Sequence, residues 1–111
     1  MSVPGAIFSL TPRELERRLA LGEDLVLLDV REPEEWAICR IEGAVLVPMS
    51  EIAARHAELD PARPVVCICH HGIRSGHVAG MLARLEFSAV YNLQGGIERW
   101  AVEVDPSMRR Y

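Results

Sequence analysis

Four short apolar runs along the chain predict the strands of a sheet. They are LVLLDV (25–30), AVLVP (44–48), PVVCIC (64–69) and AVYNL (89–93), and AIFS (6–9) is a candidate edge strand. Continuous apolar runs of this length are typical of strands buried on both faces of a parallel sheet. Because helix-like segments separate the runs, we expect an α/β fold with a mostly parallel sheet.

Three segments between these runs have the spacing and the caps of helices. The first begins after Thr11, which forms a capping box and precedes a proline. SEIAARHAEL (50–59) predicts a second helix with Ser50 as its N-cap, and SGHVAGMLARLEF (75–87) predicts a third with one apolar face. EPEEWAI (32–38) is a short acidic segment for which the pattern predicts no element.

Composition limits the classes of protein that remain. A chain of 111 residues has room for one domain, and its net charge of −4 argues against a nucleic-acid or acidic-membrane binder. No apolar run is long enough to span a membrane, and the first ten residues lack the pattern of a signal peptide. The three cysteines are therefore interpreted as thiols in a reducing, cytoplasmic environment.

Residues with chemical potential follow two of the predicted strands. Cys69 ends one strand and opens the loop HHGI, while Asp29 and Arg31 end another. Ligands of open α/β sheets bind beyond the carboxyl ends of the strands. We therefore expect the functional site at the segment CICHHGIRSG.

A metal site and a redox dithiol are both poorly supported by this segment. Acceptable zinc ligands are present, namely Cys67, Cys69, His70, His71 and His77. However, zinc sites usually combine two spaced pairs of ligands, and the sequence offers no second pair. The spacing C-x-C also differs from the redox motif C-x-x-C, so Cys67 is most simply a buried core residue. We expect neither a metal nor an organic cofactor.

A nucleophilic Cys69 is the better interpretation. Gly72 permits a tight loop, whose backbone N–H groups and following helix N-terminus favour a thiolate. Arg74 adds forked donors suited to an oxyanion, and Ser75 lies beside it at the predicted start of the helix. The spacing Cys69 to Arg74 is C-x-x-x-x-R, one residue shorter than the C-x-x-x-x-x-R loop of cysteine phosphatases.

Three ordered motifs resemble those of the single-domain rhodanese sulfurtransferases. They are LLDVREPEEWAICRIEGAVLVP, VVCICHHGIRSGHVAGML and VYNLQGGIERW. The likeness is strongest over residues 7–100, and we take residues 1–111 as one domain. It implies a rhodanese-like α/β fold, a five-stranded mostly parallel sheet flanked by helices on both faces.

The resemblance also implies a mechanism. Cys69 would carry a persulfide, taking sulfane sulfur from thiosulfate or a protein persulfide and yielding it to cyanide or a thiol. The rest of the loop would bind the substrate, through His70, His71, Gly72, Ile73, Arg74 and Ser75. Asp29 and Arg31 match positions that support the loop; the alternative for them is a solvated turn. The tail VEVDPSMRRY resembles the ends of rhodanese domains that act with sulfur-carrier enzymes.

Two departures from the family pattern and two rival functions stay open at this stage. The departures are Cys39-Arg40 before the stretch IEGA, and the pair His70-His71, where many relatives have other polar or basic residues. Cys39-Arg40 replaces the usual Gly-His, which would cost about 1 kcal/mol if Cys39 had to adopt a left-handed backbone. Cys39 could alternatively be a second reactive thiol. If a ring of the His70-His71 pair reaches the sulfur, a thiolate there would raise the pKa of that ring. The rival functions are a non-catalytic partner-binding module and a phosphatase or arsenate reductase.

Overall fold

Five parallel strands form the centre of the molecule in a computed structural model that describes residues 6–111. Residues 1–5 lie outside the described residues, and so does the first half of the ten-residue segment that was predicted to lack a signal peptide. The strands are β1 (Phe8–Leu10), β2 (Val26–Asp29), β3 (Val45–Leu46), β4 (Val65–Ile68) and β5 (Val90–Leu93). Their order in the sheet is β1-β5-β4-β2-β3, which confirms the predicted five-stranded α/β architecture.

Residues 6–111 contain five α-helices, of which the first four connect strands and the last follows β5: α1 (Pro12–Ala20), α2 (Pro33–Ile38), α3 (Ile52–Arg55), α4 (Ile73–Arg84) and α5 (Gly96–Glu103). The acidic segment EPEEWAI thus forms α2, which the sequence pattern did not predict. The second predicted helix is shorter than expected, because α3 is a single turn between two 3-10 turns. Ser50 lies inside the first of these turns and makes no cap, so that prediction was wrong. None of the helices over residues 6–111 is long and apolar enough to cross a membrane.

Helices cover both faces of the sheet, as expected. One face packs against α3 and α4 through Leu28, Ile52, Val65, Cys67, Val78 and Leu82. The other packs against α1 and α5 through Leu15, Leu27, Val66, Ile68, Ile97 and Trp100. Strand β4 contributes to both cores, because successive side chains of a strand point to opposite faces.

Strand β3 departs from the expectation of a strand buried on both faces. Only two residues of AVLVP pair with β2, and Val45 is 46% exposed. The reason is its position, since β3 is an edge of the sheet and lies beside β2 alone. The predicted runs are correct for the central strands β2, β4 and β5, whose carboxyl ends lie side by side.

Candidate active site

Cys69 lies directly after β4, where the chain turns into α4. Cys69 is 1% exposed; its Sγ accepts a hydrogen bond from the Gly72 amide at 3.0 Å and lies 3.2 Å from the Ser75 hydroxyl, a second potential donor. Gly72 has a φ of 101°, a left-handed conformation that glycine adopts without steric cost. This turn directs the Gly72 N–H towards the sulfur and begins α4 beside it.

The two cysteines of the C-x-C segment have different surroundings. Cys67 and Cys69 belong to the same core cluster and are 0% and 1% exposed. Over residues 6–111, no hydrogen bond involves the Cys67 sulfur, and burial raises the pKa of its thiol to about 12. Cys67 is therefore a packed core thiol, as expected, whereas a backbone amide and a hydroxyl lie within hydrogen-bond distance of the Cys69 sulfur.

Asn92 on β5 holds the Ser75 hydroxyl in place. The Ser75 Oγ lies 2.5 Å from Asn92 Oδ1, and Asn92 Nδ2 donates to the Gly72 carbonyl at 3.0 Å. A hydroxyl carries a single proton, so Ser75 can donate to Asn92 or to the sulfur but not to both at once. Formation of a thiolate at Cys69 would turn this proton towards the sulfur.

The start of α5 fixes the outer side of the same loop. The Ile97 amide donates to the Cys69 carbonyl at 2.8 Å, and the Glu98 amide donates to the His70 carbonyl at 3.1 Å. Gly96 permits this approach, because a Cβ there would lie 2.6 Å from the Cys69 carbonyl oxygen. With its first carbonyls held by α5, the loop directs the Gly72 amide to the sulfur.

Arg74 is engaged by a carboxylate. Its Nη1 and Nη2 donate to Glu35 Oε1 and Oε2 at 2.7 and 2.8 Å, a bidentate pair between α4 and α2. The Arg74 hydrogen bonds are the main cause that lowers the pKa of Glu35 to about 2. The guanidinium expected to meet an anionic substrate therefore already binds an ionised carboxylate.

Asp29 and Arg31 form a buried ion pair behind this carboxylate. Both residues are 0% exposed, and Arg31 Nη2 lies 2.8 Å from Asp29 Oδ2. The alternative of a solvated turn is therefore wrong. Arg31 Nη1 also donates to Tyr111 Oη at 2.9 Å, and that hydroxyl donates to Glu35 at 2.8 Å. The buried pair thus reaches the loop through Glu35 and Tyr111.

The remaining loop side chains differ in exposure. His70 is half-buried and its ring stacks on Tyr111, with centroids 3.8 Å apart and planes at 13°. Burial, followed by the neighbouring His71, lowers the pKa of His70, so the raised value considered for a ring of this pair does not apply to it. His71 is exposed, and Ile73 is 73% exposed at the start of α4.

Cys39 is accommodated without backbone strain. Its φ of −162° and ψ of 158° are those of extended chain, so the condition for the expected left-handed cost is not met. Its carbonyl accepts from Arg31 Nη2 at 2.6 Å, and its Sγ lies 3.9 Å from Arg31 Nη1. Cys39 is therefore part of the surroundings of the buried arginine.

Three residues of the site were missed by the sequence reasoning. Asn92 interrupts the apolar run AVYNL, and a polar residue inside a central strand was a signal that could have been used. Glu35 follows Arg31 by four residues in the acidic segment, where any of several carboxylates could have been the partner. Tyr111 pairs with Glu35 across 76 residues, and no local pattern indicates that contact.

Comparison with known proteins agrees with this geometry. Residues 11–103 match the family of the rhodanese-like domain. The chain is 41% identical over 105 residues to the probable adenylyltransferase/sulfurtransferase MoeZ of Mycobacterium tuberculosis, covering 93% of this chain but 27% of MoeZ. It is 38% identical over 88 residues to the thiosulfate sulfurtransferase GlpE of Pseudomonas entomophila, covering 77% of this chain and 79% of GlpE.

A solved structure shows the same fold. The rhodanese-like domain protein from Staphylococcus aureus superposes with a TM-score of 0.80 at 29% identity, over 94% of this chain and 98% of that one. The sheet order, the loop between β4 and α4, and the family match over most of the chain lead to one assignment. The chain belongs to the rhodanese-like domain family.

Proposed function

We propose that this chain is a sulfurtransferase in which Cys69 carries the sulfur. The Cys69 thiolate attacks the outer sulfur of thiosulfate, the S–S bond of the donor breaks, and sulfite leaves with the bonding electrons. The product is a persulfide, Cys–S–S⁻. Cyanide or an acceptor thiolate then attacks the terminal sulfur, forming thiocyanate or a new persulfide and restoring the thiolate. Atoms and charge balance in both steps without an external oxidant.

The observation that carries this proposal is the pair of donors at the Cys69 sulfur. The Gly72 N–H and the Ser75 hydroxyl stabilise a thiolate, and the N-terminus of the twelve-residue helix α4 adds a favourable dipole. The persulfide is also an anion, so loop amides would stabilise it in the same way. Relatives named as sulfurtransferases support a transferase role in general.

The proposal also covers the sulfur donor, the partner protein and the cellular compartment. Thiosulfate is a reasonable first donor because the name of GlpE states it. The name of MoeZ pairs an adenylyltransferase with a sulfurtransferase, which supports a protein of a sulfur-carrier pathway as partner. Since this chain spans only 27% of MoeZ, that partner is part of the proposal and concerns a longer protein. A reducing cytoplasm would keep Cys69 available as a thiol.

Intact-mass analysis tests the proposal directly. After incubation with thiosulfate we expect a gain of one sulfur atom that cyanide removes as thiocyanate. Cys69→Ser should abolish the gain, while Cys67→Ser and Cys39→Ser, which change thiols outside the loop, should retain it. A gain that persists in Cys69→Ser, or is lost in Cys39→Ser alone, would show that another thiol carries the sulfur. No gain in the unaltered protein with any sulfane donor would favour the rival function of a non-catalytic partner-binding module.

Loop length provides the second test. The loop is one residue shorter than that of cysteine phosphatases, so we expect no turnover of aryl phosphates under conditions that support sulfur transfer. Insertion of one glycine between Ile73 and Arg74 should weaken sulfur transfer by displacing the donors from the sulfur. Cys69-dependent phosphatase activity in the unaltered chain would contradict the assignment.

A further inference from the structure

The charge that should attract an anionic donor to this loop is cancelled inside the protein. Arg74 lies five residues after Cys69 in the first turn of α4; its side chain is 33% exposed and forms two short bonds to Glu35, whose side chain is 18% exposed. The Arg74 bonds keep the pKa of Glu35 at about 2, so the carboxylate is ionised at neutral pH. A ligand approaching the sulfur therefore meets an ion pair in place of a free cation.

Glu35 is held in this position from two further directions. Its Oε1 accepts from the Glu32 amide at 3.0 Å, in the capping box of α2. Its Oε2 accepts from the Tyr111 hydroxyl at 2.8 Å, and the Tyr111 ring stacks on His70 of the loop. Moving the carboxylate away from Arg74 would break these bonds as well as the ion pair.

The formal charges of the four side chains in the two ion pairs near the loop sum to zero. Asp29 and Arg31 form one pair, and Glu35 and Arg74 form the other. Once Cys69 is a thiolate, these groups together carry a net negative charge. A dianion feels twice the repulsion that a monoanion feels at the same distance, so this balance acts more strongly against dianionic ligands.

We propose that Glu35 is a specificity-determining residue that makes the Cys69 loop discriminate against dianions and favour donors with a single negative charge. This inference rests on the proposed sulfur transfer and names its substrate class, which is a perthiolate or another singly charged sulfane donor. Glu35 acts by neutralising Arg74, and Tyr111 acts by holding Glu35. Thiosulfate, a dianion, is then a donor that the site accepts against its charge balance.

A protection assay tests the charge preference without requiring turnover. Alkylation of Cys69 by iodoacetamide is followed by peptide mass mapping at constant ionic strength, with sulfate as an unreactive dianion and methanesulfonate as a monoanion. For Glu35→Gln we expect the half-protecting concentration of sulfate to fall about three- to tenfold relative to that of methanesulfonate. The reason is that sulfate carries one more negative charge than methanesulfonate, and that extra charge interacts with the Arg74 guanidinium once Glu35 no longer neutralises it. Tyr111→Phe should shift the same ratio less, because it removes only one hydrogen bond of the carboxylate.

The control is Asp24→Asn, which makes the same change of charge in another bidentate ion pair, one that is more exposed. Asp24 pairs with Arg63 before β2 and β4, at the amino ends of the strands and away from the loop. It should leave the sulfate-to-methanesulfonate ratio unchanged. The proposal would be overturned if the ratio were unchanged in Glu35→Gln as well, whether both anions protect Cys69 or neither does. It would also be overturned if Asp24→Asn shifted the ratio as much as Glu35→Gln does.

A transfer assay separates this proposal from the proposed function. Thiosulfate and methanethiosulfonate both donate a sulfane sulfur, but they carry two charges and one. In Glu35→Gln the KM for thiosulfate should fall relative to that for methanethiosulfonate. If the unaltered protein transfers sulfur from neither donor while the protection ratio still shifts, the sulfur-transfer function is wrong and the charge preference is retained. If transfer occurs and neither ratio shifts, only the charge preference is wrong.

Discussion

Replacing Gly96 by alanine would test whether α5 sets the shape of the Cys69 loop. Gly96 has a φ of 63°, and a Cβ at this position would lie 2.5 Å from the His70 carbonyl carbon and 2.6 Å from the Cys69 carbonyl oxygen. Ordinary contacts of a Cβ begin at 3.4 Å, so the loop or the helix has to move by most of an ångström. Both neighbours are backbone, which cannot rotate away as a side chain can.

The magnitude follows by comparison with Gly22→Ala. Gly22 has a φ of 79° with nothing within 4 Å of its Cβ position, so it isolates the backbone cost. That cost is about 1–2 kcal/mol of left-handed strain, less about 0.4–1 kcal/mol gained by restricting the unfolded chain. Gly96→Ala adds the cost of forced overlap in a packed interior, about 1–3 kcal/mol. We expect Gly22→Ala to lose about 1 kcal/mol of unfolding free energy and Gly96→Ala about 2–4 kcal/mol.

Chemical denaturation of both variants measures these losses, and the rate of Cys69 alkylation measures the loop. Gly96→Ala should slow alkylation under conditions where it remains folded, because displacement of the loop moves the Gly72 amide away from the sulfur. In Gly22→Ala, where the changed residue lies after α1, iodoacetamide should alkylate Cys69 at the same rate as in the unaltered protein. Equal losses of stability in the two variants, with unchanged Cys69 reactivity in both, would refute the role given to the start of α5.

Three more predictions concern single polar groups. Ser75→Ala should lose about 1–2 kcal/mol of unfolding free energy and slow Cys69 alkylation, whereas Ser88→Ala at an exposed hydroxyl should change neither by much. Asp29→Asn should cost about 3–5 kcal/mol in urea unfolding because it leaves a buried guanidinium unpaired, against less than about 1 kcal/mol for Asp24→Asn in an exposed pair. Folding lowers the pKa of Glu35 from 4.5 to about 2, so the ionised carboxylate stabilises the folded protein. The loss of unfolding free energy in Glu35→Gln should therefore have its full size above pH 4.5 and become smaller as the pH falls towards 2, which unfolding at several pH values measures. A constant loss across that range would mean that the carboxylate charge contributes nothing.

The central strands and the loop were predictable because each depends on neighbours in sequence. The runs that became β2, β4 and β5 are continuous and apolar, and the C-x-x-x-x-R spacing is local. Helix α2 was not predicted, because it has six residues, none of them buried, and too few turns for a periodic pattern. The exposure of β3 follows from strand order, which depends on contacts that a single run does not encode.

The partner of Arg74 could not be predicted for a related reason. Glu35 is 39 residues away in sequence, and the acidic segment offered several carboxylates of equal local character. Only the position of α2 in the fold, which brings Glu35 to Arg74 and Tyr111, selects one of them. The sequence therefore predicted an arginine at the start of α4 whose charge is available to a substrate, whereas in the structure that charge is paired with Glu35, a contact that no local pattern encodes.

This pairing changes where stabilisation of a sulfur anion has to come from. If Arg74 were free, its charge would act on the thiolate and on the persulfide from a distance and would be weakened by salt. With Glu35 bound, the ion pair contributes little net field, so the stabilisation falls to uncharged donors in direct contact with the sulfur. Those donors are the Gly72 amide and the Ser75 hydroxyl, at 3.0 and 3.2 Å. Because these donors act at short range, they stabilise charge on the Cys69 sulfur more than charge on an incoming ligand, which suits the proposed persulfide, an anion that stays attached to the protein.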